Sequence, residues 1–206
     1  MRQAGRYMKD YRDIRARLGF LELCKTPDLV AEVTLTPVER LNVDAAILFA
    51  DLLPILEPMG LELDYLVGVG PNIANPVRSN EDIDRLQLVP SSGSMPYIGE
   101  AISLIRKELP ADIPLIGFGG APFTLASYAI EGQGSKNYIN VKCMMATDPG
   151  AFHAIMEKMT ASAIDYLNYQ IDEGVQAIQI FDSWVGCLSV SDYRNHVFAH
   201  SKKLID

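Results

Sequence analysis

The sequence lacks any apolar run near the ~18 residues that a bilayer-spanning helix needs. Its longest such run, from Ala45 to Leu56, is broken by Asp51 and Pro54. No apolar h-region follows Arg2 and Arg6, so the opening residues do not read as a secretory signal. Cysteine is scarce. Cys24, Cys143 and Cys187 lie far apart and form no C-x-x-C pair. That argues against a disulfide framework or a zinc site and suits a reducing compartment, so a cytoplasmic protein with no membrane partner is expected. Positive charge is also short: 18 Lys and Arg against 26 Asp and Glu leave a net charge of -8. A chain this acidic is a poor binder of nucleic acid, and an anionic ligand would need a local basic site. Nucleotide fingerprints are missing too. Gly132-Gln133-Gly134-Ser135-Lys136 does not have the Walker spacing, and Gly68-Val69-Gly70 lacks the third glycine of a dinucleotide loop. His153, His196 and His200 fall on expected helices and read as structural or solvated histidines.

What is present is an ordinary globular balance, 49% hydrophobic and 21% charged residues. A chain of 206 residues is long enough for a real core, and one domain over 1–206 is expected. The chain opens directly on a dense polar motif, and Phe198 to Asp206 stop within a helical pattern. Both ends therefore read as cut.

Helical and strand patterns alternate. Thr26-Pro27-Asp28 reads as an N-cap followed by proline at the first helical position. Leu29, Val30 and Val33 share a face of that helix, and Pro37 is expected to kink or end it. Ala45 to Phe49 is a short continuous apolar run, and it, Pro114 to Phe118 and Val175 to Phe181 read as buried strands of a parallel sheet. The alternating, Gly- and Pro-rich stretch from Leu61 to Val77 predicts a hairpin or irregular excursion. Ser79 is expected to cap a short acidic helix, Ser91 to Pro96 to form a loop, and Ile98, Ile102 and Ile105 to carry a helix. After Asp148-Pro149, the series Phe152, Ile155, Met156, Met159, Ala163, Ile164, Leu167 and Ile171 has helical spacing, ended by Gly174. Ser191 is expected to cap a last helix. Short apolar strands separated by helices indicate βαβ units, in either a doubly wound sheet or a (β/α)₈ barrel.

In parallel α/β folds ligands bind at the carboxyl ends of strands. The residues there are Asp51 after the first strand, Gly119-Gly120 and the helix bearing Tyr128 after the second, and Asp182-Ser183 after the third. One shared mouth is therefore expected. Asp51, in an apolar setting, reads either as a site carboxylate or as one satisfied by backbone N–H groups. Arg2 and Arg6, four residues apart, read either as a carboxylate clamp or as a solvated terminus.

Arg2-Gln3-Ala4-Gly5-Arg6-Tyr7 resembles the N-terminal signature of the uroporphyrinogen decarboxylases. Phe49-Ala50-Asp51-Leu52-Leu53 is similar to that family's strand-end aspartate motif, and Gly117 to Leu125 to its second signature, with Tyr128 at the family's tyrosine. Glu131 to Lys136 and Ile178 to Ser183 resemble two further motifs in the same order. The resemblance implies a (β/α)₈ TIM barrel, of which this chain holds only an N-terminal and central portion. It implies a homodimeric enzyme of haem biosynthesis that removes four acetate carboxyl groups from uroporphyrinogen, giving coproporphyrinogen, with no cofactor and no metal. It gives Asp51, Arg2 and Arg6 catalytic roles and adds substrate contacts from Gln3, Phe118, Tyr128, Phe181 and Ser183. Two rival readings remain: a corrinoid-linked methyltransferase of the same superfamily, for which an H-x-C zinc motif is missing, and a non-catalytic porphyrin-binding module.

Overall fold

The alternation of short apolar runs with amphipathic stretches becomes strands flanked by helices. The computed structural model describes residues 7–66 and 68–206. Arg2, Gln3 and Arg6 lie outside the described residues. The elements in chain order are α1 (Lys9–Arg15), α2 (Phe20–Cys24), α3 (Pro27–Leu41), β1 (Ala46–Ile47), β2 (Leu63–Leu66), β3 (Gly70–Ile73), α4 (Asn80–Arg85), α5 (Ser91–Ser94) and α6 (Pro96–Glu108). They continue as β4 (Leu115–Gly120), α7 (Pro122–Glu131), α8 (Ile139–Thr147), α9 (Pro149–Asp172), β5 (Ala177–Phe181), α10 (Val190–Asp192) and α11 (Phe198–Ile205).

The sheet order is β1-β4-β5. β1 and β4 run parallel, with Ala46 opposite Leu115 and Ile47 opposite Ile116. At the start of β5, Gln176 N–H donates to Leu115 O at 2.9 Å, and just past β4 Ala121 N–H donates to Phe181 O at 2.9 Å. β5 therefore follows the same direction as β4. The third expected strand is in place but is not buried as expected: Ala177 and Gln179 are exposed. It lies at the edge of this sheet, where only one side has a neighbouring strand among the described residues. β4, between its two neighbours, is buried at nearly every position.

The chain divides into two compact units. The first takes the described residues up to Asp51, with Met95–Phe118 and Leu167–Gln179. Here α3 packs on α6, burying Val30, Val33 and Val38 from one helix and Ile98, Ile102 and Ile105 from the other. α3 runs on through Pro37 to Leu41 and ends at Asn42, in the left-handed conformation at φ 48°. Burial of Thr34, Leu35 and Val38 around the proline holds the helix together across the missing N–H. Thr26 does not cap this helix with its side chain. Its hydroxyl donates back to Glu22 O at 2.7 Å, and Pro27 starts the helix by its fixed φ.

The second unit holds Leu52–Ser94, Gly119–Tyr166 and Ile180–Asp206. β2 and β3 form the expected antiparallel hairpin. The hairpin is tied to the end of α7 by Ile73 N–H donating to Gly132 O at 2.6 Å and Val77 N–H to Ala129 O at 2.8 Å. Gly132, at φ +81°, supplies the left-handed turn that ends α7. Ser79 caps α4 in a reciprocal capping box with Asp82, and Lys158 Nζ satisfies that helix's last carbonyls, Ile83 O at 2.7 Å and Leu86 O at 2.9 Å. The stretch expected as a loop at 91–96 contains the single turn α5, with Ser91 N–H held by Asp165 at 2.7 Å. In α9 the apolar series is buried except at Ile164, which is half-buried, and at its end, where Ile171 is 50% exposed. The last cap is Ser189, not Ser191: Ser189 Oγ accepts from Asp192 N–H at 3.1 Å and donates to its carboxylate at 2.7 Å. Tyr193–Val197 then form a wide π-helical turn before α11.

Candidate active site

The strand ends place the candidate residues, and each unit carries its own group. In the first, Leu48 N–H continues the β1 pairing to Ile116 O at 2.9 Å. The next residue, Phe49, donates its N–H to Thr34 Oγ1 of α3 at 3.0 Å. The Phe49 ring meets Tyr11 at 5.7 Å and Phe20 at 6.2 Å, both edge-on. These contacts fix the backbone two residues before Asp51, whose side chain is half-buried. Phe118, near the end of β4, is buried. Both of its backbone groups are held by one side chain: its N–H donates to Gln170 Oε1 at 2.9 Å, and its carbonyl accepts from Gln170 Nε2 at 2.9 Å. Gly117 makes room for that amide, since a Cβ there would lie 2.5 Å from Gln170 Oε1.

In the second unit, Gly119-Gly120 lead into α7, which has proline at its first position. Thr124, fully buried on α7, donates to Asp182 Oδ1 at 2.8 Å and accepts from Trp184 N–H at 3.3 Å. This bond pair anchors the loop that carries exposed Ser183. The Trp184 ring lies between Tyr128 at 5.6 Å and Tyr138 at 5.8 Å. Ser183 and Tyr128 are thus neighbours of one aromatic cluster, and Phe181 is joined to the start of α7 through its carbonyl. Burial, with Cys187, Tyr128 and Glu131 nearby, pushes the Tyr138 hydroxyl up to about 12. Thr124, Trp184 and Tyr138 were not singled out from the sequence. Trp184 follows Asp182-Ser183 closely enough to have been considered as a strand-end residue, whereas the Thr124 and Tyr138 contacts come from distant segments.

Burial raises the Asp182 carboxyl above the usual carboxylate range, and the bond from Thr124 opposes that only in part. A folded-state pKa raised above the unfolded one means that the stabilising contribution is present in acid and is lost as pH rises through the folded value. Asp182→Asn keeps an acceptor for Thr124 and removes the buried charge. It is expected to melt higher than the parent chain near pH 7, with the gain shrinking toward about pH 4, the ordinary carboxylate range. Thermal melts at the two pH values check this, and a gain that does not change with pH counts against it.

A parallel sheet with helices between its strands marks this chain as part of a (β/α)₈ barrel. The family model described as uroporphyrinogen decarboxylase (URO-D) matches residues 1–206, and the chain belongs to that family. It is 53% identical over 206 residues to the uroporphyrinogen decarboxylase of Trichlorobacter lovleyi, covering 100% of this chain and 60% of that protein. The enzyme of the same name from Geobacter sp. (strain M21) is 52% identical with the same coverage. That of Carboxydothermus hydrogenoformans is 53% identical, with 59% of its length covered. The chain thus spans about 60% of the length of these relatives. Among solved structures, a methyltransferase from Methanosarcina mazei superposes with a TM-score of 0.77 over 93% of this chain and 56% of its own, at 20% identity. That likeness shows the fold alone.

Proposed function

We propose that the chain is the part of a uroporphyrinogen decarboxylase that binds the macrocycle and stabilises the decarboxylation transition state. The observation that carries this reading is identity of 52–53%, along the whole chain, to relatives of that name. The structural neighbour at 20% identity gives no comparable support for methyl transfer.

In this reading the strand-end residues of the sheet carry the substrate contacts. The substrate is a cyclic tetrapyrrole with eight carboxylates, and Arg2 and Arg6 meet those charges on a protein of net charge -8. Gln3 adds a polar contact. Asp51 accepts the inward-pointing pyrrole N–H groups. Tyr128 and Ser183 hydrogen-bond the acetate or propionate arms, and Phe118 and Phe181 wall the ring. Protonation of a pyrrole carbon makes the ring cationic. The acetate C–C bond then breaks, CO₂ leaves, and the electron pair flows into the cation. The resulting exocyclic methylene takes a proton to become methyl, and the ring carbon returns its own. The Asp51 carboxylate stabilises the cation while it exists. Arg2 or Arg6 orients the leaving carboxylate. No metal or organic cofactor takes part in these steps. We further propose a cytoplasmic homodimer. No helix among the described residues is long and apolar enough to cross a membrane.

Anaerobic incubation of the chain with uroporphyrinogen III, followed by oxidation and chromatography of the porphyrins, tests the reading. Coproporphyrin with release of CO₂ is the expected result. Absence of both turnover and substrate binding would overturn it.

A further inference from the structure

Three side chains of metal-ligand type meet where α9 and α11 touch in the second unit. His153 and Glu157 stand one turn apart on α9 and share a face, and His200 comes from α11. One ligand atom from each lies within 4.8 Å of the others. His200 is 3% exposed. Its Nε2 faces His153 Nδ1 at 3.0 Å, while its Nδ1 lies 3.5 Å from Glu157 Oε1 and 3.4 Å from Thr160 Oγ1. The Thr160 hydroxyl donates to Met156 O at 2.7 Å, so toward His200 it can only accept. The proton of His200 therefore belongs on Nδ1, between two acceptors, and the bare lone pair of Nε2 points at His153.

Glu157 divides its two oxygens. Oε2 is held by Lys203 Nζ at 2.7 Å, and Oε1 is turned to the histidines, 4.0 Å from His153 Nε2. The bond and charge of Lys203, helped by both histidines, keep Glu157 ionised below the usual range. Burial, with His153 and Lys203 adding to it and Glu157 opposing, pushes His200 below the usual histidine value. The His153 side chain is 65% exposed.

We infer that His153, Glu157 and His200 form a binding site for a divalent transition-metal ion of the Zn²⁺ class, which clasps α11 to α9. Two histidines and one carboxylate suit zinc and leave one position for water, whereas magnesium and calcium prefer an all-oxygen shell. Bonds of about 2.0–2.1 Å in tetrahedral geometry put two nitrogens on one zinc about 3.3 Å apart. The observed 3.0 Å between the ring nitrogens needs only a small shift to match. Thr160 and Lys203 already stand as outer partners that orient His200 and Glu157. None of the strand-end residues is involved, so the site stands or falls independently of the proposed decarboxylation.

The test is titration of Zn²⁺ into the metal-free chain, by calorimetry and thermal unfolding, with the parent, His153→Ala and Cys143→Ser. The expected result is saturable binding of one ion and a higher Tm in the parent and in Cys143→Ser. His153→Ala removes an exposed side chain and leaves the core intact, so folding does not confound it. It should weaken binding by about tenfold or more and abolish the Tm rise. No saturable binding at submillimolar zinc overturns the inference, as does a His153→Ala affinity within about tenfold of the parent.

Discussion

Replacing Asp51 by Asn is expected to lower decarboxylation by about 100- to 1,000-fold while leaving porphyrinogen binding within a few-fold. Asn is close to Asp in shape and keeps one carbonyl acceptor for a pyrrole N–H. It lacks the negative charge. The ground-state macrocycle is neutral at its ring nitrogens, so binding there needs an acceptor. The protonated ring is cationic, so the barrier responds to the charge. Asp51 is suited to separate the two effects, because the preceding backbone is held independently, by Thr34 through the Phe49 N–H and by the Tyr11 and Phe20 rings. A changed residue 51 should therefore leave β1 in place. CO₂ release measures turnover, and quenching of intrinsic fluorescence measures binding. Undiminished turnover would remove the electrostatic role, and binding that persists without any turnover in the parent chain would favour a porphyrin-binding module.

Much of the fold was legible because its signals are local. The α9 series and the three apolar runs became a long helix and three strands, and the Gly- and Pro-rich stretch became the β2–β3 hairpin. Misreadings fell where two local options compete. Thr26 had the right position for a cap, but its hydroxyl bonds backward to Glu22. Ser191 and Ser189 are both cap-type residues; only Ser189 has an aspartate three positions on, and the reciprocal bonding with Asp192 decides between them. Burial is a tertiary property. The apolar composition of β5 does not reveal that it sits at a sheet edge, nor does the periodicity of α9 reveal that Ile171 faces outward.

For the proposed site, the strand-end rule pointed to Asp51, Tyr128 and Ser183, because it needs only the strand positions, whereas Phe118 and Phe181 came from the family resemblance. It did not find what holds them. The Thr124–Asp182 bond links residues 58 apart, and the Tyr128–Trp184–Tyr138 cluster joins three segments. The helical histidines looked like structural or solvated residues one at a time. Their pairing across α9 and α11 has no sequence period that would announce it.

Gln170 is the clearest case of a hidden determinant, and Gln170→Leu is expected to destabilise the chain by about 3 kcal/mol. In sequence it is a polar residue between Leu167 and Ile171, suited to a solvent face. In the structure it is fully buried, and its amide makes two bonds to the backbone of Phe118. Leucine is close to glutamine in volume, so little cavity forms, and the loss is that of hydrogen bonding in an apolar interior. Each stranded backbone group costs about 1–3 kcal/mol, which is why the expected total exceeds that of an exposed bond. The glycine opposite gives a second handle. Gly117→Ala would place its Cβ 2.5 Å from Gln170 Oε1, forcing the same amide aside. The two substitutions therefore attack one interaction, and the double variant should cost clearly less than the sum of the singles, by about 1 kcal/mol or more. Urea unfolding of the four chains measures this. Additive losses would mean that the strain at Gly117 falls on Ile178 and Val175, both 3.1 Å from the same Cβ position, and not on the amide. Because Phe118 is also a proposed wall for the macrocycle, the Gln170→Leu chain should lose substrate affinity at temperatures where it is still folded.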